Sequence, residues 1–404
     1  MILIALCLAI LFSLGVYEKR CNERYVKSIP IRVNVNGIRG KSTVTRLITS
    51  VISEAGYETI GKTTGTEARI IFPKTNEEEP IVRRREGANI SEQLRIIKRA
   101  AKLKVEALVC ECMAVNPDYQ KVFQSKMIQA NIGVIVNVLE DHLDVMGPTL
   151  DQIADAFTET IPYNGYLITI EGPYTEYFKT VAESRNTKVI VADNSKIKQS
   201  YLNKFDYVVF PDNVSLALAV GEALGIDNEV AFKGMLKANP DPGALRISKI
   251  GNDFHNNYFA NGFAANDAAS TLRIWERIIE LGYSTDNAVI VMNCREDRVD
   301  RTEQFARDVL PYTKAKAIIS IGKSTAPITK AFKDGQLLAQ EYLDLEECRT
   351  EEIIGKLEGY LKDCLIYGIG NIHGAAELFI EGLFELNNIY EDDALQEIVC
   401  EKFS

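Results

Sequence analysis

Residues 33–44 read "VNVNGIRGKSTV": a β-branched run gives way to Gly37 and Gly40, then a lysine and two hydroxyls. A strand that turns through two glycines into a helix starting near Lys41 aims several backbone N–H groups and the positive end of the helix dipole at one place. Polyphosphate is the chemistry that suits such a place. Asn36, Gly37, Ile38, Arg39, Gly40, Lys41, Ser42 and Thr43 therefore form a candidate ATP-binding loop, with Lys41 neutralising terminal phosphates and the Ser42 hydroxyl on a magnesium ion. A strict phosphate-loop motif carries glycine five places before Gly40, where this chain has Val35. On this stretch alone an ordinary strand-to-helix turn is the alternative.

Three further polar clusters follow apolar runs: Thr63 to Thr66 in "KTTGTEAR", Glu111 after "ALVC", and His142 in "LEDHLD". In an open parallel sheet, ligands gather outside the carboxyl ends of the strands. The hard oxygen donors Ser42, Thr64 and Glu111 suit Mg2+ there. A second ion held by Glu111 and His142 would add charge beside the γ-phosphate. Each cluster has a plainer reading, as a turn, a surface carboxylate or a helix cap; their common placement is what favours a site. Cys110 and Cys112 flank Glu111 at period two, the pattern of strand residues rather than metal ligands.

The elements that would position these residues are short apolar runs alternating with helical patterns from residue 28 onward, the mark of an α/β chain. The strand-like runs are residues 31–35, 107–110, 132–138, 166–170, 188–193 and 206–210, then 288–293, 317–322 and 365–370. Val44, Leu47, Ile48, Val51 and Ile52 keep helical spacing, and a further helix is expected to begin at Asn89 with Glu92 closing a capping box. Pro240, Pro242 and Gly243 mark a hinge. The predicted organisation is a P-loop-containing, mostly parallel sheet domain over 28–240, a smaller Rossmann-like α/β domain over 245–388 and an acidic tail over 389–404.

Residues 1–17 carry no charged side chain, and Lys19, Arg20, Arg24 and Lys27 follow. A cleaved signal and a buried core helix are alternatives; a membrane anchor with the remainder on the cytoplasmic side fits the basic flank best. The net charge of −10 argues against nucleic acid as a partner. Eight cysteines without scaffold spacing are expected to be reduced thiols.

"NGIRGKST", "KTTGT", "CECMA" and "NVLEDHLDVMG" resemble the phosphate loop, second loop, magnesium glutamate and histidine motif of the Mur-type amide ligases. "PDNVSLALAVGEALGI" resembles their asparagine helix, placing Asn213 on ATP, and "PGALRI" their glycine-arginine turn, making Arg246 a catalytic candidate beside Lys41, Glu111 and His142. "ANGFAANDAAST" and "GIGNIHGA" are similar to the poly-γ-glutamate synthase ligase branch, with Asn261 and Asn266 as nucleotide contacts. The resemblance implies an ATP- and Mg2+-dependent ligase that phosphorylates a carboxylate and lets an amine attack the acyl phosphate. It implies glutamate and the growing polymer as substrates, membrane subunits of an export complex as partners, and a homo-oligomer. Arg83, Arg84 and Arg85, the most concentrated basic run, together with Arg298 and His373 are the substrate-binding candidates; a solvated loop, a solvated helix start and a close-packed strand-to-helix turn are their plainer readings. No lysine lies between His142 and Lys179, so the carbamylated lysine of several Mur ligases has no counterpart. Another Mur-type ligase, such as one that polyglutamylates folate, and a tethered P-loop ATPase or kinase remain alternatives.

Overall fold

Alternating β-branched and polar residues make Ile31–Asn36 the first strand, β1, buried toward its carboxyl end. The computed structural model describes residues 2–65, 68–83, 89–241, 244–251, 255–265 and 267–386. Thr66, Arg84, Arg85, Pro242, Gly243, Asn266 and the acidic tail lie outside the described residues. The chain forms two compact units, Met1–Phe205 with Val209–Ala244, and Asp206–Val208 with Leu245–Ser404.

In the first unit β1 is joined by β2 (Thr59–Lys62), β3 (Arg69–Phe72), β4 (Glu77–Pro80), β5 (Ala107–Glu111), β6 (Ile132–Ile135), β7 (Tyr166–Ile170) and β8 (Lys188–Ala192). Their order is β4-β3-β2-β5-β1-β6-β7-β8. The six strands from β2 to β8 across the sheet run parallel. β3 and β4 fold back antiparallel, so the sheet is mixed. Asn76, at φ 56°, makes the tight return before β4, a conformation asparagine tolerates. Val35 lies beside Glu111 and Asn36 beside Ile135, which brings the carboxyl ends of β5, β1 and β6 level.

The helix Lys41–Glu54 buries Val44, Leu47, Ile48, Val51 and Ile52, the spacing expected of it. On one face of the sheet Ile60, Ile97, Leu108, Phe123 and Ile128 pack together. Further along the same face, Ile135, Ile153, Phe157, Leu167 and Phe178 do the same. The expected capping box is not made. The helix starts at Glu92, and Asn89 Oδ1 accepts the Ser91 N–H. The Glu92 carboxylate turns to Lys62 instead, because a fully buried ammonium must be paired.

Ile2–Lys27 is one helix, longer than the 17 residues expected of the apolar segment. Its large apolar side chains from Ile2 to Leu14 are exposed, and it is long and apolar enough to cross a membrane. Its last turns are part of the first unit: Val26 is buried, and Asn22 Nδ2 donates to the carbonyls of Lys126 (3.0 Å) and Met127 (3.1 Å).

The second unit holds β9 (Ile247–Ile250), β10 (Asn257–Asn261), β11 (Val289–Cys294), β12 (Ala315–Gly322), β13 (Ala339–Glu346) and β14 (Leu365–Gly370). Their order is β13-β12-β11-β14-β10-β9, parallel except for β9. All six residues of β11 and of β14 are buried, as strands covered by helices on both faces must be. The run 206–210 forms no strand; Val208 N donates to Leu245 O (2.8 Å) and Pro211 then opens a helix.

Candidate functional site

Past β1 the chain turns on Gly37, whose φ is 135°. A Cβ there would approach the backbone nitrogens of Val136 and Asn137 to 3.1 Å, so glycine alone fits. Gly40, at φ 82°, leads into the helix Lys41–Glu54, and no side chain caps that helix. Its first turn holds no acidic residue, which leaves the positive end of its dipole facing the loop. Asn137 fixes the loop's shape. Its Oδ1 accepts from the amides of Ile38 (3.1 Å) and Arg39 (3.0 Å), and its Nδ2 donates to Arg39 O (2.9 Å). Lys41 Nζ donates to the carbonyls of Gly37 (2.8 Å) and Ile38 (3.1 Å), holding its charge over the same loop.

Glu111 ends β5 next to this loop and is buried. One oxygen, Oε2, accepts from the Ser42 hydroxyl and from the Thr64 amide, both at 2.8 Å. Loops that follow three neighbouring strands, β2, β5 and β1, thus meet in one hydrogen-bonded set. Among the described residues no lysine or arginine pairs with Glu111. A buried carboxylate with a hydroxyl beside it and no cation is the hard oxygen set that magnesium prefers, so these residues fit that ion. Asn213, in the first turn of the helix Pro211–Ala223, lies against Gly40: a Cβ there would stand 3.2 Å from Asn213 Oδ1.

His142 lies beyond the next strand along, in the loop after β6, with φ 52° and an exposed ring. Asp141 connects it to the glycine loop, accepting the His142 amide at 2.9 Å and lying 3.4 Å from Arg39 Nη2. Among the described residues it has no hydrogen bond to Glu111 or Ser42. Asn36 shapes the loop from behind. Its Oδ1 accepts the Gly37 amide (2.9 Å), and its Nδ2 donates to Gln120 Oε1 (2.7 Å) inside the unit. Burial pushes the Cys110 thiol up to about 12 and that of Cys112 to about 11, so both stay protonated and neither suits a metal.

The remaining candidates are placed apart from this set. Arg83 forks onto Glu92 (3.2 and 3.3 Å), which also holds Lys62 at 2.8 Å. Burial pushes the Glu92 carboxyl up, but Arg83 and Lys62 hold it below the usual range. In the second unit Arg246 precedes β9, and its carbonyl accepts the Asn261 amide at 3.3 Å. Arg298 is exposed ahead of the helix Val299–Asp308. The exposed His373 ring meets Glu377 Oε1 at 2.9 Å, and the His373 carbonyl accepts from Asn293 (3.0 Å). Sequence reasoning gave no role to Asn293 and took Asn137 only as the first residue of the histidine motif. Each stands at or just past the carboxyl end of an apolar β-run as a lone amide, the signal that could have found its role.

A Mur ligase middle domain matches residues 35–237, and a poly-gamma-glutamate synthase CapB C-terminal domain matches residues 247–386. The chain is 63% identical over 383 residues to the capsule biosynthesis protein CapB of Bacillus anthracis, covering 95% of this chain and 82% of that protein. It is 57% identical over 383 residues to the PGA synthase CapB of Bacillus subtilis (strain 168), covering 95% and 98%. MurF from Acinetobacter baumannii has a similar fold, with a TM-score of 0.62 at 16% identity over 92% of this chain and 79% of its own. The class is therefore that of the ATP-dependent amide ligases with the α/β fold and mixed sheets of the Mur ligases. This chain belongs to the Mur ligase family and, within it, to the CapB-type poly-gamma-glutamate synthases. Enzymes of the family depend on ATP and use a divalent metal.

Proposed function

We propose that the chain forms γ-glutamyl amide bonds of poly-γ-glutamate at the expense of ATP, working as a membrane-anchored ligase. The observation that carries this reading is the Ser42–Glu111–Thr64 set at the head of the glycine-loop helix. ATP phosphorylates a carboxylate of the polymer or of glutamate; the amine of the other then displaces phosphate, leaving amide, ADP and phosphate. Phosphoryl transfer asks a protein chiefly to position its reactants and to neutralise charge on the phosphoryl oxygens. Lys41 and the amides of residues 40–43, at the head of the helix, do this from the loop, and Asn213 lines its edge. Ser42 and Glu111 would hold Mg2+, with Thr64 fixing the carboxylate. Bound there, the ion supplies charge neutralisation at the phosphates. His142 is assigned to a second metal, held without a carbamylated lysine. In the second, Rossmann-like unit, Arg246 is assigned to the acyl phosphate, Asn261 to the nucleotide, and Arg298 and His373 to substrate carboxylates.

The exposed apolar stretch of Ile2–Lys27 supports an anchor, and its basic end supports a cytoplasmic active site. The proposed partners are glutamate, the growing polymer, membrane subunits of an export complex and a second copy of the chain. Incubation with ATP, Mg2+ and glutamate tests the reading: glutamate-dependent ADP release, with hydroxylamine trapping the acyl phosphate as a hydroxamate, is expected. ATP turnover indifferent to glutamate, with no hydroxamate, would leave only a tethered ATPase.

A further inference from the structure

Arg46 follows Ser42 by one helical turn and is almost wholly buried, yet the chemistry above gives it nothing to do. Its guanidinium forks onto Glu78 of β4, Nη1 to Oε1 at 2.5 Å and Nη2 to Oε2 at 3.0 Å. Nη1 also reaches the Asn239 carbonyl at 3.4 Å, and Nε stands 3.5 Å from Asp241 Oδ1. Asn239 in turn donates to Asn76 Oδ1 at 2.9 Å, in the return before β4. The other face of Asp241 meets the site. A Cβ on Gly65 would lie 3.6 Å from Asp241 Oδ2 and 2.8 Å from Ser42 Oγ, so Gly65 is wedged between the two. Gly65 directly follows Thr64, whose amide holds Glu111.

One buried cation therefore gathers the antiparallel hairpin, the 239–241 segment and, through Asp241, the loop that orients the magnesium carboxylate. Stability alone does not explain the choice, since a buried ion pair is often no more stabilising than apolar packing of the same volume. Directional geometry does, because a planar fork fixes two carboxylates at set angles where an ammonium would not.

We propose that Arg46 is a positioning residue for the magnesium–nucleotide site, acting through Asp241 and Gly65 on the Thr64–Glu111–Ser42 set. This rests on the assignment of that set to magnesium and ATP. The test uses the full-length chain, a non-hydrolysable ATP analogue and no glutamate, and follows analogue binding as Mg2+ is titrated. Arg46→Lys and Asp241→Asn are expected to raise the Mg2+ midpoint about tenfold, the usual cost of disturbing a ligand's support, and to leave Mg2+-free binding unchanged. Glu54→Gln is the comparison. It removes the pairs with Lys233 (2.8 Å) and Lys237 (2.5 Å) at the far end of the same helix. It should lower Tm without moving the midpoint. An unchanged midpoint in the folded Arg46→Lys or Asp241→Asn chain overturns the proposal. So does an equal loss of Mg2+-free and Mg2+-dependent binding, which would mark Arg46 as merely structural. If Arg46→Lys fails to fold, Asp241→Asn decides. Analogue binding needs no amide formation, so a failed hydroxamate assay and a failed titration are told apart.

Discussion

Glu111→Gln tests the site at its centre. The substitution keeps the shape of a buried side chain whose Oε2 accepts from Ser42 and Thr64 at 2.8 Å each, and removes only its charge. Two opposite unit charges about 4 Å apart attract by about 4 kcal/mol at an effective dielectric of roughly 20. Magnesium keeps several of its waters when a protein binds it, which screens the carboxylate and offsets part of that gain. A loss of roughly 2–3 kcal/mol, or about 30- to 150-fold in Mg2+-dependent nucleotide affinity, is the outcome to expect. In the metal-free chain two charge-assisted hydrogen bonds weaken while a buried charge disappears, so the effects oppose and Tm should move by only a few degrees. Calorimetric titration of a non-hydrolysable ATP analogue, with and without Mg2+, measures the affinity, and ADP release in the presence of glutamate measures turnover. A folded Glu111→Gln chain with wild-type Mg2+ dependence would refute the claim that this carboxylate holds the metal.

Further outcomes follow from other parts of the molecule. His142→Ala removes an exposed ring, so thermal unfolding should be unchanged while glutamate-dependent ADP release falls about tenfold or more; undiminished turnover would end its metal role. Glu92 has its carboxyl lowered in the folded chain, burial opposing but Arg83 and Lys62 prevailing. Its contribution to stability is therefore complete above the unfolded value of about 4.3 and is lost as pH falls through the lower folded one. Tm measured across that acid range should drop less steeply in Glu92→Gln than in the wild type. Removing residues 1–17 should release the chain from membranes and leave its Tm intact. Asn22→Ala, which strands the carbonyls of Lys126 and Met127, should destabilise by about 1–3 kcal/mol in denaturant titration.

The loop after β1 was legible in the sequence because its chemistry is local: two glycines, a lysine and a hydroxyl within six residues, between an apolar strand and an amphipathic helix. The parallel strands were legible for the same reason, as runs such as Val289–Cys294 that are buried along their whole length. What escaped depends on distant partners. "TNEEEP" carries three acidic residues and no apolar run, so it is not among the expected strands, yet Glu77–Pro80 is a strand whose Glu78 meets a buried Arg46 from another element. Glu92 has the spacing of a capping residue and is drawn inward by Lys62, which no local pattern announces. Asn137 follows the run "IGVIV" as though it continued the strand, and its work is done with residues 98 and 99 positions earlier.

The order of the strands explains why so few residues suffice. From β1 the chain travels outward to β2, β3 and β4, returns to β5 against one side of β1, and only then crosses to β6, β7 and β8 on the other. Its connections therefore leave β1 in opposite directions, and a crevice opens at the carboxyl end of the strand where such a reversal occurs. The glycine loop occupies that end, with Glu111 and Thr64 on one flank and Asn137 and His142 on the other. A helix N-terminus alone would attract any anion. Lying between a buried carboxylate and a second flank, this one favours an anion that brings its own cation, and a magnesium-bound triphosphate meets that requirement.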